Sequence, residues 1–102
     1  MYLVHAHLEL PPGSHLPPEV RELVRSSLAP GDRVEHVSVH VRSPVWLALG
    51  LYMLADGVEE AEQRAVRVCA RLLREVPQLA GARLTGAGVP LIPLAFEAQP
   101  SD

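Results

Sequence analysis

The segment VWLALGLYMLA, Val45 to Ala55, decides the fold, because it has no charged residue and no polar face at either the helical or the strand period. It is too short to cross a bilayer, which takes about 20 residues. As a strand it is apolar on both sides, with Val45, Leu47, Leu49, Leu51 and Met53 on one and Trp46, Ala48, Gly50, Tyr52 and Leu54 on the other. Such a strand must be covered on both faces. A chain of 102 residues supplies enough helix for one cover, so the second face predicts self-association or a ligand cavity.

The composition is typical of one globular domain, with 48% hydrophobic and 21% charged residues. The net charge of -3 argues against a nucleic-acid binder, which normally carries a basic surface. Arginine supplies all 9 basic side chains, and lysine and asparagine are absent, which favours a bacterial gene of high GC content. The absence of lysine excludes a Schiff-base or Walker lysine.

The beginning of the chain and its cysteine content indicate a cytoplasmic protein without membrane attachment. Met1 runs directly into a strand-like pattern, with neither a basic region nor a signal cleavage site before Leu10. A single Cys69 excludes an internal disulfide. Because Cys69 lies among apolar residues, we interpret it as a small buried hydrophobe and not a nucleophile.

The hydrophobic periods predict six elements in one domain over residues 1–97, followed by a disordered tail at 98–102. The strands are predicted at Tyr2–Leu10, Arg33–Arg42, Val45–Ala55 and Ala82–Glu97. A short helix starts at Pro17-Pro18, and a long amphipathic helix runs from Ala61 to Val76 and is stopped by Pro77. Since Pro90 and Pro93 cannot donate to a ladder, the last strand is expected at an edge, broken into two pieces or continuous.

This βαββαβ order is that of the α+β ferredoxin-like arrangement, a four-stranded antiparallel sheet with both helices on one face. Its first and third strands are central, which suits the apolar segment. In topology the chain resembles the dimeric α+β barrel proteins and the amino-acid-sensing ACT modules. The first resemblance implies a homodimer packed through the open sheet faces. The second implies a ligand at the Pro11–Ser14 turn, although Pro11 stands where those modules commonly have an acidic residue.

The register of the hairpin between the second and third strands determines what the open face contains. If His40 opposes Trp46, the histidines share that face with Trp46, Ala48, Gly50 and Tyr52, since opposed residues lie on the same side. A slip of one residue would place the leucines of the third strand there instead. We favour the first register, because the bulky aliphatic residues then meet the helices. In either register we expect the open face to be too apolar to remain in water, and glutamate at Leu49 or Gly50 to break the oligomer.

Four of the 5 histidines lie on predicted strands. His5 and His7 point the same way at about 7 Å spacing, whereas His36 and His40 are about 13 Å apart. The first pair could hold a metal only with a further ligand, such as Glu9 or a partner residue. With no ligand cluster beyond the pair, we assign no metal and no cofactor, and the histidines are solvated or interface residues.

Trp46 and Tyr52 offer two interpretations. They could bracket Ala48 and Gly50 so that a flat ligand lies between them, with His5, His7 or His40 as a general base. Alternatively, both aromatic residues anchor a dimer interface. The candidate ligand-binding residues are therefore His5, His7, His40, Trp46 and Tyr52.

Other patterns suggest no chemistry. Arg64, Arg67, Arg71 and Arg74 follow an acidic first turn on the second helix, as expected of a solvated face, although docking to an acidic partner or a phosphate is the alternative. The sequence contains neither a G-x-S-x-G elbow nor a glycine-rich loop followed by a helix.

These observations predict a small homodimeric ligand-binding or accessory module without catalysis. The alternative is a cofactor-independent enzyme, monooxygenase-like or cyclase-like, that resembles dimeric α+β barrel monooxygenases and acts on a small aromatic or polyketide-like molecule. No individual residue is carried over from that family.

Overall fold

The computed structural model describes residues 1–89, in which two helices and four strands follow the predicted βαββαβ order. The strands are β1 (Tyr2–Glu9), β2 (Val34–Ser43), β3 (Trp46–Met53) and β4 (Arg83–Gly88), and the helices are α1 (Val20–Ser26) and α2 (Val58–Glu75). Short 3-10 turns at Pro30–Asp32 and Pro77–Leu79 precede β2 and β4. The predicted continuation of the last strand through Pro90 and Pro93, and the tail at 98–102, lie outside the described residues.

The strands form one antiparallel sheet in the order β2-β3-β1-β4. This confirms the α+β prediction: the apolar segment is a central strand, and within the described residues β4 pairs with β1 alone. The apolar strand is shorter than predicted, since β3 covers Trp46–Met53 of the segment 45–55. The first helix begins at Val20, after Pro17-Pro18.

The core lies between the sheet and the helices. β1 and β3 contribute alternate side chains that are fully or almost fully buried, namely Val4, Ala6, Leu8, Leu47, Leu49, Leu51 and Met53. The same apolar cluster contains Val24 of α1 and Ala61, Ala65, Val68, Cys69 and Leu72 of α2. Both helices therefore cover the same side of the sheet, as the favoured register predicts.

A polar contact joins α2 to the loop that follows α1. Arg71 of α2 forms an ion pair with Asp32 and donates a hydrogen bond to the Ser27 carbonyl oxygen at 2.9 Å. The Asp32 carboxylate also accepts the Ala29 backbone N–H at 2.7 Å. Because both carboxylate and guanidinium are largely buried, this contact fixes the loop after α1 against α2.

Candidate functional site

The sheet face opposite the helices carries the residues that the sequence singled out. In the rows across the sheet, Gly50 lies between His5 and Ser38, and Ala48 lies between His7 and His40. The favoured face for the histidines is therefore confirmed. The predicted pairing of His40 with Trp46 is wrong, since His40 opposes Ala48.

The pairing differs because the hairpin is irregular. The tight turn at Pro44-Val45 pairs Ser43 with Trp46, and a bulge between Val41 and Ser43 then shifts the register. Without that extra residue, the alternation would have brought His40 opposite Leu49, on the helix side. The bulge at Arg42 thus determines which side chains share the open face.

A depression of about 120 Å³ lies at the centre of this face. Ala48 and Gly50 form its floor, and its walls are His5, His7, His40 and Arg42. His7 and His40 stand on opposite sides of Ala48, two strands apart, which corresponds to about 10 Å between their Cα atoms. Small floor residues are needed for such a depression, because any larger side chain would fill it.

Ala48 and Gly50, the floor of the depression, are less exposed to solvent than the small size of these residues suggests. A Cβ atom at Gly50 would lie 2.5 Å from Ser38 Oγ and 3.4 Å from Leu3 Cδ1, so these two side chains already cover the glycine. Ala48 is only 8% exposed. Among the strand residues of the described chain, the large exposed apolar side chain on this face is Trp46, at 42%, so the open face is less apolar than the sequence predicts.

Trp46 and Tyr52 do not line the depression. They occupy the two ends of β3, about 20 Å apart along the strand. Tyr52 packs against His36 with ring centroids 5.3 Å apart, and Trp46 lies beside Glu9. The structure therefore brings together His5, His7 and His40 of the predicted ligand residues and places both aromatic side chains outside that group.

Arg42 belongs to the site although sequence reasoning did not select it. The signal was present, because Arg42 has the same parity as His36 and His40 on the predicted strand. Strand alternation alone would have placed its guanidinium on the histidine face.

The site is electropositive. Burial lowers the pKa of His5 below its ordinary value of 6.5, and His7, His40 and Arg42 lower it further. The nearest acidic residue on this face by register, Glu9, forms an ion pair with Arg83 across the β1–β4 pair. No group of three or more histidine, cysteine or acidic residues within residues 1–89 is arranged to hold a metal ion.

The remaining candidates have structural explanations. Cys69 is buried, as predicted, and burial raises the pKa of its thiol to about 12, so the reactive thiolate is strongly disfavoured. On the arginine stripe, Arg64 pairs with Glu60 at 2.8 Å, whereas Arg71 contacts Asp32 and Glu75.

The turn after β1 is stabilised within itself. Its Ser14 backbone N–H and hydroxyl both donate to the Pro11 carbonyl oxygen, at 3.1 and 2.6 Å. These contacts account for the turn without a ligand.

Comparison with protein-family models, curated proteins and solved structures gives no match for this chain. None of the helices in the described part of the chain has the length and apolar character needed to cross a membrane.

Proposed function

We propose that this chain is a non-catalytic binding module that forms a homodimer through the open face of its sheet and holds a small ligand there. The observation that carries the proposal is the position of the depression. The concave site and the exposed Trp46 lie on the same sheet face, which neither helix covers. Ligand sites are typically concave and occur preferentially at interfaces between domains.

A second copy of the chain is the cover that suits this face best. Trp46 is of a residue type that is enriched in protein interfaces, and it is exposed at the first position of the central strand β3. Two-fold pairing would place equivalent surfaces against each other, so one patch serves both copies. The depression would then become a closed cavity between the two sheets.

Matched substitutions at two alanines test this interface. Ala48→Arg adds a long cationic side chain at the centre of the open face, whereas Ala70→Arg makes the same change at an exposed position on α2. Sedimentation equilibrium should show a dimer for the unmodified chain and Ala70→Arg, and a monomer for Ala48→Arg, with circular dichroism unchanged in both. A monomeric unmodified chain, or an Ala48→Arg dimer of unchanged affinity, would refute the proposed interface.

The position of Leu49 changes the design of this test. Leu49 is fully buried on the helix side, so glutamate there would disrupt the core and not an interface. Glutamate at Gly50 would displace Ser38, which confounds the measurement in another way. Glutamate at Leu49 or at Gly50 therefore does not test the interface alone, and the Ala48→Arg and Ala70→Arg variants are used instead.

The second candidate function is cofactor-independent catalysis, and the state of His5 favours it. With its pKa lowered below 6.5, this imidazole is neutral at neutral pH and can accept a proton from a ligand in the depression. Incubation with hydroxylated aromatic compounds, followed by mass spectrometry, tests for turnover. Catalysis predicts a product that His5→Gln abolishes and Ala70→Arg retains, whereas the binding module predicts no product from any variant.

A further inference from the structure

The walls of the depression gather nitrogen groups, one of them the cationic Arg42 guanidinium, without an acidic counterpart. Three imidazoles and one guanidinium form its walls in a chain whose net charge is -3. Five other arginines form ion pairs with carboxylates, as seen for Arg21, Arg25, Arg64, Arg71 and Arg83. Within residues 1–89, Arg42 forms no ion pair, as is also true of Arg33, Arg67 and Arg74, but of these four it is the one in the walls of the depression. A concave site with this composition is complementary to an anion.

We propose that the depression binds the carboxylate of a small organic acid over Ala48, between His7 and His40 and within reach of His5 and Arg42. This inference rests on the proposed binding function and names the chemical class of its ligand. Imidazolium and guanidinium groups donate charge-assisted hydrogen bonds, which are the stronger kind. The spacing of about 10 Å between the two flanking Cα atoms leaves room for an oxyanion that accepts from both sides.

The surroundings favour an organic acid over an inorganic anion. The depression of about 120 Å³ holds a carboxylate and a few further atoms, since water occupies about 30 Å³ per molecule. Trp46 precedes Ala48 by two positions and lies on the same face, about 7 Å along the strand. A ring attached to the carboxylate can therefore extend over the indole, which an inorganic anion cannot use.

The proposal has a defined pH dependence. The groups facing His5 are His7 on its own strand and His40 and Arg42 on β2, while its register partners on β3 and β4, Gly50 and Gly88, carry no charge. Because an anion favours the protonated form of His5, affinity should increase as the pH falls through the lowered pKa of His5. The bound anion should in turn raise the pKa of His5.

Titration of the histidine ring signals with benzoate tests the site, with benzamide as an uncharged analogue and sulfate as an inorganic anion. By NMR at about pH 6, benzoate should shift the signals of His5, His7 and His40 together and leave His15 unchanged. Benzamide should cause no comparable shift. Sulfate should bind more weakly than benzoate, and equal binding would overturn the assignment to an organic acid.

Two arginine variants complete the experiment. Arg42→Gln should weaken benzoate binding roughly tenfold, the effect expected from losing one hydrogen bond to a charged group, whereas Arg67→Gln on α2 should not. Equal affinities for the two variants, or no benzoate shift in the unmodified chain, would overturn the anion site. Sedimentation of the unmodified chain at about pH 7.5 separates the two levels. A dimer that does not bind benzoate contradicts only this inference, whereas a monomer contradicts the proposed function.

Discussion

Truncation of Leu49 tests the register on which the whole site depends. Leu49 is completely buried, and it lies between Ala6 of β1 and Val39 of β2 on the helix side of the sheet. Leu49→Ala removes buried methyl and methylene groups and leaves a cavity, which costs about 3 kcal/mol in comparable cores. In a domain of this size that loss lowers the Tm by roughly 12 to 24 °C and leaves most of the chain folded at room temperature.

Leu54→Ala is the matched control, because it makes the same chemical change at a side chain that is 37% exposed just after β3. Its cost should be below about 1 kcal/mol. Urea unfolding followed by circular dichroism gives both values, and repetition at several protein concentrations separates folding from association. Equal small costs for the two variants would refute the register, because Leu49 would then lie on the histidine face.

Three further predictions concern individual side chains. The thiol of Cys69, with its pKa of about 12, should not react with a thiol-specific reagent at about pH 8 until the protein unfolds. Arg71→Ala should cost about 2 kcal/mol in urea unfolding, because it leaves the largely buried Asp32 carboxylate without its cation. NMR titration should give His5 a pKa below 6.5 that rises in Arg42→Gln. In the unmodified chain, His5 binds a proton more readily when the chain is unfolded than when it is folded. The stability contributed by neutral His5 is therefore present above about pH 6.5 and is lost as the pH falls through the lower folded pKa.

The sequence predicted the element order and the sheet because these depend on short-range patterns. Each of these patterns is set by residues close together in the sequence. They are the alternation in β1 and β2, the apolar stripe of α2, and the end of that helix at Pro77. The position of β4 at an edge followed from the topology together with Pro90 and Pro93, which come after it in the sequence. Helix α1 was placed correctly, but its beginning was not, because Pro17-Pro18 also fits an extended approach to a helix.

The site was only partly predictable, because its composition depends on a single bulge. Alternation placed the histidines on one side of each strand, but the pairing of His40 with Ala48 requires the irregularity at Arg42. Nothing in the local sequence specifies where a bulge falls. The sequence also could not predict how far Ser38 and Leu3 cover Gly50, because this depends on the neighbouring strands and not on the apolar segment itself.

The charge of the open face has a consequence for the proposed dimer. The depression is central, so two-fold pairing through this face brings two positive groups of His5, His7, His40 and Arg42 towards each other. Repulsion increases when His5 gains a proton, and a bound carboxylate in each depression offsets it. We therefore expect the dimer to weaken as the pH falls from about 7.5 to about 5.5 and to be restored by benzoate but not by benzamide.

Sedimentation equilibrium across this pH range measures the dimer affinity at constant ionic strength, which holds the screening of charges fixed. A dimer whose affinity is independent of both pH and benzoate would show that these groups lie outside the contact, and the interface would have to be sought on another face.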